Sequence, residues 1–451
     1  MTDRTHFNPL GALRGSLRPP ADKSISHRAA ILAAMGEGET DVVGYLDAAD
    51  TRSTLAAVQA LGARLVHEEV STEVVEESDG LGAPRLRIAG VGLRGPRSAA
   101  IDVGNAGTLL RLLPGWLAGQ PQGSWTLDGD DSIRKRPVDR VADPLRRMGA
   151  RLAAREDRLP PLGIEAAPLR GIEYPLPVAS AQVKSCLLFA GLLAEGETRV
   201  VEPLPTRDHS ERMLAAAGAE VRREGDVVVI APAERLEPGR IVVPADFSSA
   251  AFFIVAATII PGSDVLLHGV GLNPTRTGLL TILERMGTES IEITPKGEEG
   301  GEPIGDVRVG YSELRGCEVG GADVPLAIDE LPLVALAACF AEGTTTIREA
   351  TELRRKESDR IATVTDALRA LGGGAEATED GMVIEGGAGL RGGAIDSHGD
   401  HRIAMLGAIA GAASSDGVEV ANMAAAEVSY PGFEVDLTSL QHGPPLRDPV
   451  H

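Results

Sequence analysis

"AILAAMGEGETDVVGYLDAADTRSTLAAVQALGARL", residues 30–65, indicates the fold, because its order of features recurs along the chain. An apolar run with helical period leads through a Gly-x-Thr turn into a short strand-like run, an Arg-containing segment and an amphipathic helix. Residues 187–221, "LLFAGLLAEGETRVVEPLPTRDHSERMLAAAGAEV", repeat this order almost without gaps. Less close copies at 252–287, 335–372, 112–152 and 403–440 bring the number to six.

Six such modules predict a mixed α/β fold. Their spacing of roughly 65 to 85 residues is longer than a common solenoid repeat, so each copy is a whole supersecondary unit. Strand-like alternation in "RLRIAGV", "GDVVVIAP" and "DGMVIEGG" separates the helical runs, so each module reads as helix, strand, helix, strand with extra strands. Six modules divide into three plus three, with a boundary near 241–246.

Composition supports two hydrophobic cores and limits the partners. The chain has 451 residues, 43% of them hydrophobic, which is too long for one ordinary core. Its formal net charge of -21 disfavours nucleic acid and acidic membrane as partners, since such binding depends on Lys and Arg. The apolar runs are too short to span a bilayer and the N-terminus lacks a signal-peptide core, so we expect no membrane partner.

Cysteine usage predicts a reducing compartment. Cys186, Cys317 and Cys339 are an odd, scattered set without CxxC spacing, which indicates neither a disulfide framework nor a zinc site. Cys186 and Cys339 lie in apolar runs and are expected in the core. We therefore expect a cytoplasmic location.

Polar residues mark the start of the first helix of every module. The six stretches are "DKSISHR" (22–28), "GNAGTLLR" (104–111), "ASAQVKS" (179–185), "ADFSSAA" (245–251), "LAIDELP" (326–332) and "SHGDHRIAM" (397–405). Exposed N–H groups and the helix dipole make a helix N-terminus suited to anions. Any one start is explained as well by ordinary capping. The recurrence, and the added Lys23 and Arg28, favour sites for a small anion.

Three charged stretches are more ambiguous. In "RRKESDR" (354–360), a helix would place Lys356 and Arg360 on one face beside Glu357, although a solvated face explains the charges equally well. "IRKRPVD" (133–139) has the same ambiguity. "DSHGDHR" (396–402) contains residue types that can bind metals, but no matching cluster elsewhere, so we expect no metal site.

These motifs together resemble those of the 5-enolpyruvylshikimate-3-phosphate (EPSP) synthase family over nearly the whole chain. The resemblance implies two pseudo-threefold domains of three βαβαββ modules each, like an inverse α/β barrel, with helix N-termini facing an interdomain cleft. It also implies that residues 21–242 form the shikimate 3-phosphate side and that residues 1–20 with 243–451 form the second domain. The implied reaction transfers the enolpyruvyl group of phosphoenolpyruvate to the 5-hydroxyl of shikimate 3-phosphate and releases phosphate. No metal or redox cofactor is implied, and we expect a monomer.

The resemblance also implies roles for individual residues. For shikimate 3-phosphate it implies Lys23, Ser24, Arg28, Ser180, Ala181, Gln182, Arg207, Asp329 and Lys356. For phosphoenolpyruvate it implies Lys23, Asn105, Gly107, Arg136, Gln182, Arg360 and Arg402. Asp329 resembles the base for the attacking hydroxyl, and Glu357 the acid/base that protonates the methylene carbon. Lys23 completes the catalytic set.

Three positions depart from the family pattern. Val428 stands where many members have a late Lys, Glu352 stands where some have Asn, and His27 replaces a frequent Asn. Gly107 is the small residue that in many members admits glyphosate, which implies that glyphosate inhibits this chain.

Three alternatives stay open from the sequence. The sister transferase for UDP-N-acetylglucosamine typically has a Cys before its Arg-Pro, and "DGDDSIRKRP" has none. RNA-end cyclisation by a fold relative is disfavoured by the net charge. A non-catalytic anion-binding protein of the same fold is the third alternative.

Overall fold

The computed structural model describes residues 4–66, 85–444 and 446, which divide into two compact units. The N-terminal unit takes the described residues of Ala21–Pro244 together with Glu298–Glu302. The C-terminal unit takes those of Met1–Pro20, Ala245–Gly297 and Pro303–His451. Residues 4–20 therefore belong to the C-terminal unit.

The strands and helices alternate along the described residues. The strands are β1 Arg4–Phe7, β2 Arg14–Leu17, β3 Glu39–Val43, β4 Arg64–Val66, β5 Arg85–Ala89, β6 Ala99–Asp102, β7 Ser124–Asp128, β8 Arg151–Arg155, β9 Leu159–Glu165, β10 Leu169–Arg170, β11 Glu173–Pro175, β12 Ala194–Glu195, β13 Thr198–Val201, β14 Val221–Glu224, β15 Val227–Ile230, β16 Arg240–Val242, β17 Asp264–Gly271, β18 Ile291–Glu299, β19 Glu302–Gly310, β20 Glu318–Val319, β21 Thr344–Ile347, β22 Gly374–Ala377, β23 Met382–Glu385, β24 Gly393–Asp396 and β25 Val418–Ala421. The helices are α1 Lys23–Met35, α2 Ala49–Ala60, α3 Gly107–Ala118, α4 Asp139–Arg147, α5 Ala181–Gly191, α6 His209–Ala216, α7 Phe247–Ile259, α8 Gly278–Arg285, α9 Asp323–Ala327, α10 Leu331–Ala338, α11 Arg360–Ala370, α12 His401–Ala413 and α13 Phe433–Gln441. Short 3₁₀ turns cover Ile133–Lys135, Thr351–Arg355 and Met423–Val428.

The N-terminal unit contains three four-stranded sheets of one topology. Their strand orders are β16-β3-β5-β4, β6-β7-β9-β8 and β11-β13-β15-β14. In each sheet the first two strands are parallel and the remaining neighbours are antiparallel. A parallel pair needs a crossover, so α3 lies between β6 and β7 and α5 lies between β11 and β13. The antiparallel pairs β8–β9 and β14–β15 are consecutive strands. The predicted strands at "RLRIAGV" and "GDVVVIAP" are β5 and β15, as expected.

Among the described residues, the C-terminal unit contains two four-stranded sheets and one three-stranded sheet, and β1 and β2 come from the beginning of the chain. Its sheets have the orders β18-β19-β17-β2, β20-β21-β23-β22 and β1-β25-β24. β2 pairs in parallel with β17, and β1 pairs antiparallel with β25. The predicted strand at "DGMVIEGG" is β23. The repeated order β-α-β-α-β-β is the unit that the family resemblance implies, and it contains the alternation of helices and strands that the sequence copies predict.

The first helix of each module is buried on all sides. In the N-terminal unit α3 packs against both α1 and α5, and in the C-terminal unit α7, α10 and α12 pack against one another. All residues of α7 are buried, as are Ala29–Met35 of α1. A helix that is apolar all round occupies a protein core. The polar residues of α1 and α5 are concentrated in the first half of each helix, which includes the predicted motifs.

No helix among the described residues combines the length and the apolar character needed to cross a membrane. Cys186 and Cys339 are buried, as predicted, and burial raises the pKa of both thiols, that of Cys339 to about 12. Neither thiol is therefore suited to act as a nucleophile.

Candidate functional site

Each of the six predicted stretches lies at a helix start. α1 begins at Lys23, α3 at Gly107, α5 at Ala181, α7 at Phe247, α10 at Leu331 and α12 at His401. Four of these starts have a side-chain cap, supplied by Asp22, Ser180, Asp246 and Asp400. Capping therefore explains one residue at those four starts, and the basic residues beside them need a separate explanation.

At the start of α1, two basic side chains are held by short polar contacts. Lys23 Nζ lies 3.2 Å from Asp50 Oδ2. Arg28 donates from Nε to Ser210 Oγ at 2.7 Å and from Nη2 to Ser185 Oγ at 3.0 Å. Its Nη1 donates to the Ser24 carbonyl at 3.0 Å. The guanidinium is fixed by neutral oxygens, which leaves its charge available to an anion.

Burial lowers the pKa of Arg28 to about 10, although the carboxylates of Asp22 and Glu211 oppose this shift and nearby Arg207 reinforces it. The side chain is nevertheless cationic at neutral pH. Arg207 is half-buried in the loop that precedes α6. Two guanidinium groups of the N-terminal unit therefore influence one another electrostatically, an arrangement that a bound phosphate would stabilise.

At the start of α3, Gly107 and Arg136 lie close together. Arg136 Nη2 donates to Asn105 Oδ1 at 3.1 Å, and a methyl carbon on Gly107 would lie 2.6 Å from Arg136 Nη1. Only a glycine leaves the guanidinium in this position without a shift. The Gly107 N–H also bonds to the Asn105 carbonyl at 2.9 Å, which forms the turn into the helix.

Gln182, in the first turn of α5, links this helix to α3. Its Oε1 accepts from Arg111 Nη1 at 2.8 Å, and its Nε2 donates to Thr108 Oγ1 at 3.2 Å. Ser180 caps α5 by accepting from the Val183 N–H at 3.4 Å. The amide orientation of Gln182 is therefore fixed by partners on a neighbouring helix start.

In the C-terminal unit, four basic side chains surround Asp329. Its carboxylate lies 3.1 Å from Lys356 Nζ, 3.2 Å from Arg360 Nη1, 3.8 Å from Arg402 Nη2 and 3.9 Å from Arg276 Nη1. Arg402 Nη1 also donates to the Asp329 carbonyl at 3.2 Å. Three of these cations also contact a second carboxylate: Arg276 contacts Asp246, Arg360 contacts Asp400 and Glu357, and Arg402 contacts Glu330. Asp329 is therefore a proton acceptor held by fixed positive charges.

Arg360 is buried and bonded to two further carboxylates. Its Nε lies 2.8 Å from Asp400 Oδ2 and its Nη2 lies 2.7 Å from Glu357 Oε2. Burial alone would lower the pKa of Arg360, but Asp400, Glu357 and Asp329 outweigh it and raise the pKa. The Arg360 charge in turn outweighs burial at Asp400 and lowers the pKa of that carboxyl. Both groups are therefore ionised throughout the neutral range.

The helix considered for residues 356–360 does not form. Lys356 is extended, with φ -81° and ψ -161°, and α11 begins only at Arg360 behind its cap, Asp359. The Asp359 side chain accepts from the Ala362 N–H, which fixes the helix start four residues later than a continuous helix needs. Lys356 and Arg360 still meet, because both contact Asp329.

Several side chains of these clusters were not predicted as site residues. The side chains that form hydrogen bonds or ion pairs with predicted ones are Arg111, Ser185, Ser210, Arg276 and Asp400. The repeat contains a signal for one of them, because Arg276 and Arg207 each follow a Pro-Thr pair in equivalent positions of two modules. Among the described residues, no group of three or more His, Cys, Asp or Glu side chains is arranged to hold a metal ion.

The fold and these clusters define an α/β protein of six related modules in which basic side chains at the starts of buried helices are arranged to bind small anions. The family model of EPSP synthase (3-phosphoshikimate 1-carboxyvinyltransferase) matches residues 7–437. The chain belongs to this family, and it is therefore a transferase of the shikimate pathway. The predicted family is confirmed.

Individual relatives agree. A curated 3-phosphoshikimate 1-carboxyvinyltransferase of Methylococcus capsulatus is 51% identical over 428 residues, 94% of each chain. One of Synechococcus is 48% identical over 432 residues, 95% of this chain and 94% of the relative. An EPSP synthase structure from Acinetobacter baumannii matches with a TM-score of 0.83 and 42% identity over 97% of each chain. The predicted mixed α/β fold is confirmed, and the matches favour this family over the UDP-N-acetylglucosamine transferase.

Proposed function

We propose that this chain transfers the enolpyruvyl group of phosphoenolpyruvate to the 5-hydroxyl of shikimate 3-phosphate, giving EPSP and phosphate. The observation that carries the proposal is the Asp329 cluster, in which a carboxylate contacts Lys356 and Arg360 while Glu357 bonds to the same Arg360. The reaction needs a base and an acid next to fixed positive charge, and this cluster contains all three.

The N-terminal unit, residues 21–242 in the predicted division, supplies the shikimate 3-phosphate side. Arg28 and Arg207 supply positive charge for the 3-phosphate, and Ser24 with Ser180 supplies hydroxyl groups. Ala181 contributes the N–H of the first residue of α5, which points out of the helix start. Gln182 lies beside it and contacts both substrates.

For phosphoenolpyruvate, the proposed ligands are basic side chains. Lys23 and Arg136 come from the N-terminal unit, with Asn105 and Gly107 shaping the turn beside Arg136. Arg360 and Arg402 come from the C-terminal unit. Guanidinium groups suit this ligand because they bind carboxylate and phosphate with paired hydrogen bonds.

The chemistry proceeds by addition and elimination. Asp329, with Lys356 beside it, orients the 5-hydroxyl and takes its proton as the oxygen attacks C2 of phosphoenolpyruvate. Glu357 protonates the methylene carbon, which gives a tetrahedral intermediate. Glu357 then removes a proton from the new methyl group as the C2–O bond to phosphate breaks. Arg and Lys side chains stabilise the charge on the leaving phosphate.

The proposal extends to the state of the protein. We propose that it acts as a monomer in the cytoplasm with small anionic substrates as its partners. The reaction transfers the enolpyruvyl group and protons and releases phosphate without oxidation or reduction, so no redox cofactor takes part.

Phosphate release tests the proposal. The purified chain is expected to release one phosphate per phosphoenolpyruvate consumed with shikimate 3-phosphate, and none with UDP-N-acetylglucosamine. Lys23→Ala is expected to lower kcat/KM about 100-fold or more, because the variant loses the positive charge that is proposed to bind phosphoenolpyruvate. Lys135→Ala, an exposed lysine on a 3₁₀ turn of the same unit, is the control. Release with the sugar nucleotide instead, or no release at all, would reject the proposal.

A further inference from the structure

A fully buried lysine lies beside the proposed shikimate 3-phosphate cradle, and the mechanism does not use it. Lys184, in α5, has a side-chain exposure of 0%. Its Nζ lies 2.9 Å from Glu202 Oε1 and 2.6 Å from Glu211 Oε1. Lysine is almost never fully buried unless it is paired. The contacts join α5 to the residue that follows β13 and to the first turn of α6.

The charges of this cluster balance. Glu202 Oε2 also lies 3.0 Å from Arg223 Nη1, so two carboxylates face two cations. Burial raises the pKa of Glu211, although Lys184 opposes the shift. Removing Lys184 would therefore leave buried negative charge without its partner, which is costly in a low-dielectric interior.

The cluster fixes one residue of the loop that carries Arg207. Thr206 donates to Glu202 Oε1 from its N–H at 3.1 Å and from its hydroxyl at 2.6 Å. Its carbonyl accepts from Lys184 Nζ at 3.4 Å. All three polar groups of Thr206 are thus bonded to the cluster. Residues 203–205 are exposed and Arg207 is half-buried, so Thr206 is the buried anchor next to Arg207.

The same two helices also hold Arg28. Ser185 follows Lys184 on α5, and Ser210 precedes Glu211 on α6. Ser210 Oγ donates to Ser185 Oγ at 2.7 Å, and Arg28 donates to both hydroxyls. The Lys184–Glu211 ion pair and this hydroxyl bridge therefore join α5 to α6 side by side.

We propose that Lys184 is a positioning residue for shikimate 3-phosphate, which acts through Glu202 and Thr206 on Arg207 and through Glu211 on the hydroxyls that hold Arg28. It does not touch the substrate. The inference rests on the proposed function, in which Arg28 and Arg207 bind the 3-phosphate. Phosphoenolpyruvate has no ligand in this cluster, so the effect is confined to one of the two substrates.

Steady-state kinetics of Thr206→Val tests this directly. The substitution keeps the side-chain shape and removes one buried hydrogen bond to Glu202. The KM for shikimate 3-phosphate is expected to rise about three- to tenfold, which corresponds to the net free energy of one hydrogen bond. The KM for phosphoenolpyruvate and kcat are expected to stay within about twofold, since neither depends on Arg207.

Lys184→Met is the second variant and is expected to give a larger rise of the same kind, about tenfold or more. Thr198→Val is the matched control, because Thr198 is buried on β13 and its hydroxyl has no hydrogen-bond partner among the described residues. If Thr206→Val leaves the KM for shikimate 3-phosphate unchanged, or shifts both KM values and kcat together, the positioning role is wrong. Failure of the proposed function would appear instead as an inactive wild type.

Discussion

Gly107 and Arg136 approach so closely that a methyl group on the first would lie 2.6 Å from Nη1 of the second. Because Nη1 is the end of a flexible side chain, the guanidinium rather than the backbone must move when Gly107 is replaced. We expect Gly107→Ala to raise the KM for phosphoenolpyruvate about tenfold through the displaced Arg136 contact. The KM for shikimate 3-phosphate should change little.

The same substitution bears on glyphosate. The family resemblance implies that Gly107 admits this inhibitor, so Gly107→Ala should weaken inhibition in the phosphate-release assay. Gly163→Ala is the control, since a methyl group there meets nothing closer than 3.6 Å in the same module. A wild type that keeps full activity at high glyphosate, or a Gly107→Ala enzyme with unchanged KM, would contradict this account.

Glu357→Gln separates proton transfer from binding. The amide retains an oxygen to accept from Arg360 Nη2 but cannot give or take a proton at neutral pH. We expect kcat to fall about 10²- to 10⁴-fold, the range of general acid–base catalysis, with a smaller change in the KM for phosphoenolpyruvate. Glu352→Gln, which alters a more exposed ion pair with Arg355 nearby, should leave kcat within about twofold. An unimpaired Glu357→Gln enzyme would show that the acid/base is another group.

The helix starts could be predicted from sequence because capping is local. Asp22, Ser180 and Asp400 each bond to an N–H two or three residues ahead, so a short stretch contains both partners. The repeat likewise predicted the strand and helix order of the modules, since each copy carries its own hydrophobic period.

Contacts between residues that are distant in the sequence could not be predicted from local patterns. Arg360 bonds to Asp400, 40 residues later, and Arg28 bonds to Ser210, 182 residues later. No hydrophobic period and no sequence motif connects residues that lie so far apart in the chain. The extended Lys356 was missed because the spacing of charges in "RRKESDR" fits a helix, while Asp359 caps a new one. The cap formed by Asp359, and not the spacing of the charged residues, determines where α11 begins.

His27 predicts how stability depends on pH. Burial, reinforced by Lys23 and Arg28 and opposed by Asp50, lowers the pKa of His27 from 6.5 to about 3. Below pH 6.5 the unfolded chain binds a proton that the folded chain does not. The stability contribution is therefore complete above pH 6.5 and is lost as the pH falls toward 3.

Urea unfolding at pH 7 and pH 5 measures this effect. The free energy of unfolding of the wild type should fall between these values by about 1 to 2 kcal/mol more than that of His27→Asn, since one proton is worth about 1.4 kcal/mol per pH unit. Replacing the exposed His442 by Asn should not alter the pH dependence. If the free energies of unfolding of the wild type and of His27→Asn fall by the same amount between pH 7 and pH 5, His27 is not the group that causes the pH dependence.

Gly115→Ala tests the packing that aligns two helix starts. A methyl group on Gly115 of α3 would lie 2.1 Å from the Cys186 carbonyl oxygen and 2.9 Å from its carbonyl carbon, both in the backbone of α5. In a solvent-exposed helix, replacing Gly by Ala stabilises the protein by about 1 kcal/mol. Here α3 and α5 must separate, so we expect the free energy of unfolding to fall by about 1 to 3 kcal/mol.

The movement of α3 away from α5 should also change the proposed substrate contacts of Gln182. Gln182 on α5 bonds to Arg111 and Thr108 on α3, and these bonds lengthen when the helices move apart. Because Gln182 is proposed to contact both substrates, both KM values should rise, unlike the one-substrate effect expected of Gly107→Ala. Chemical denaturation and steady-state kinetics measure the two effects on one variant. A Gly115→Ala protein that is more stable than the wild type would show that α3 and α5 are not in backbone contact at this position.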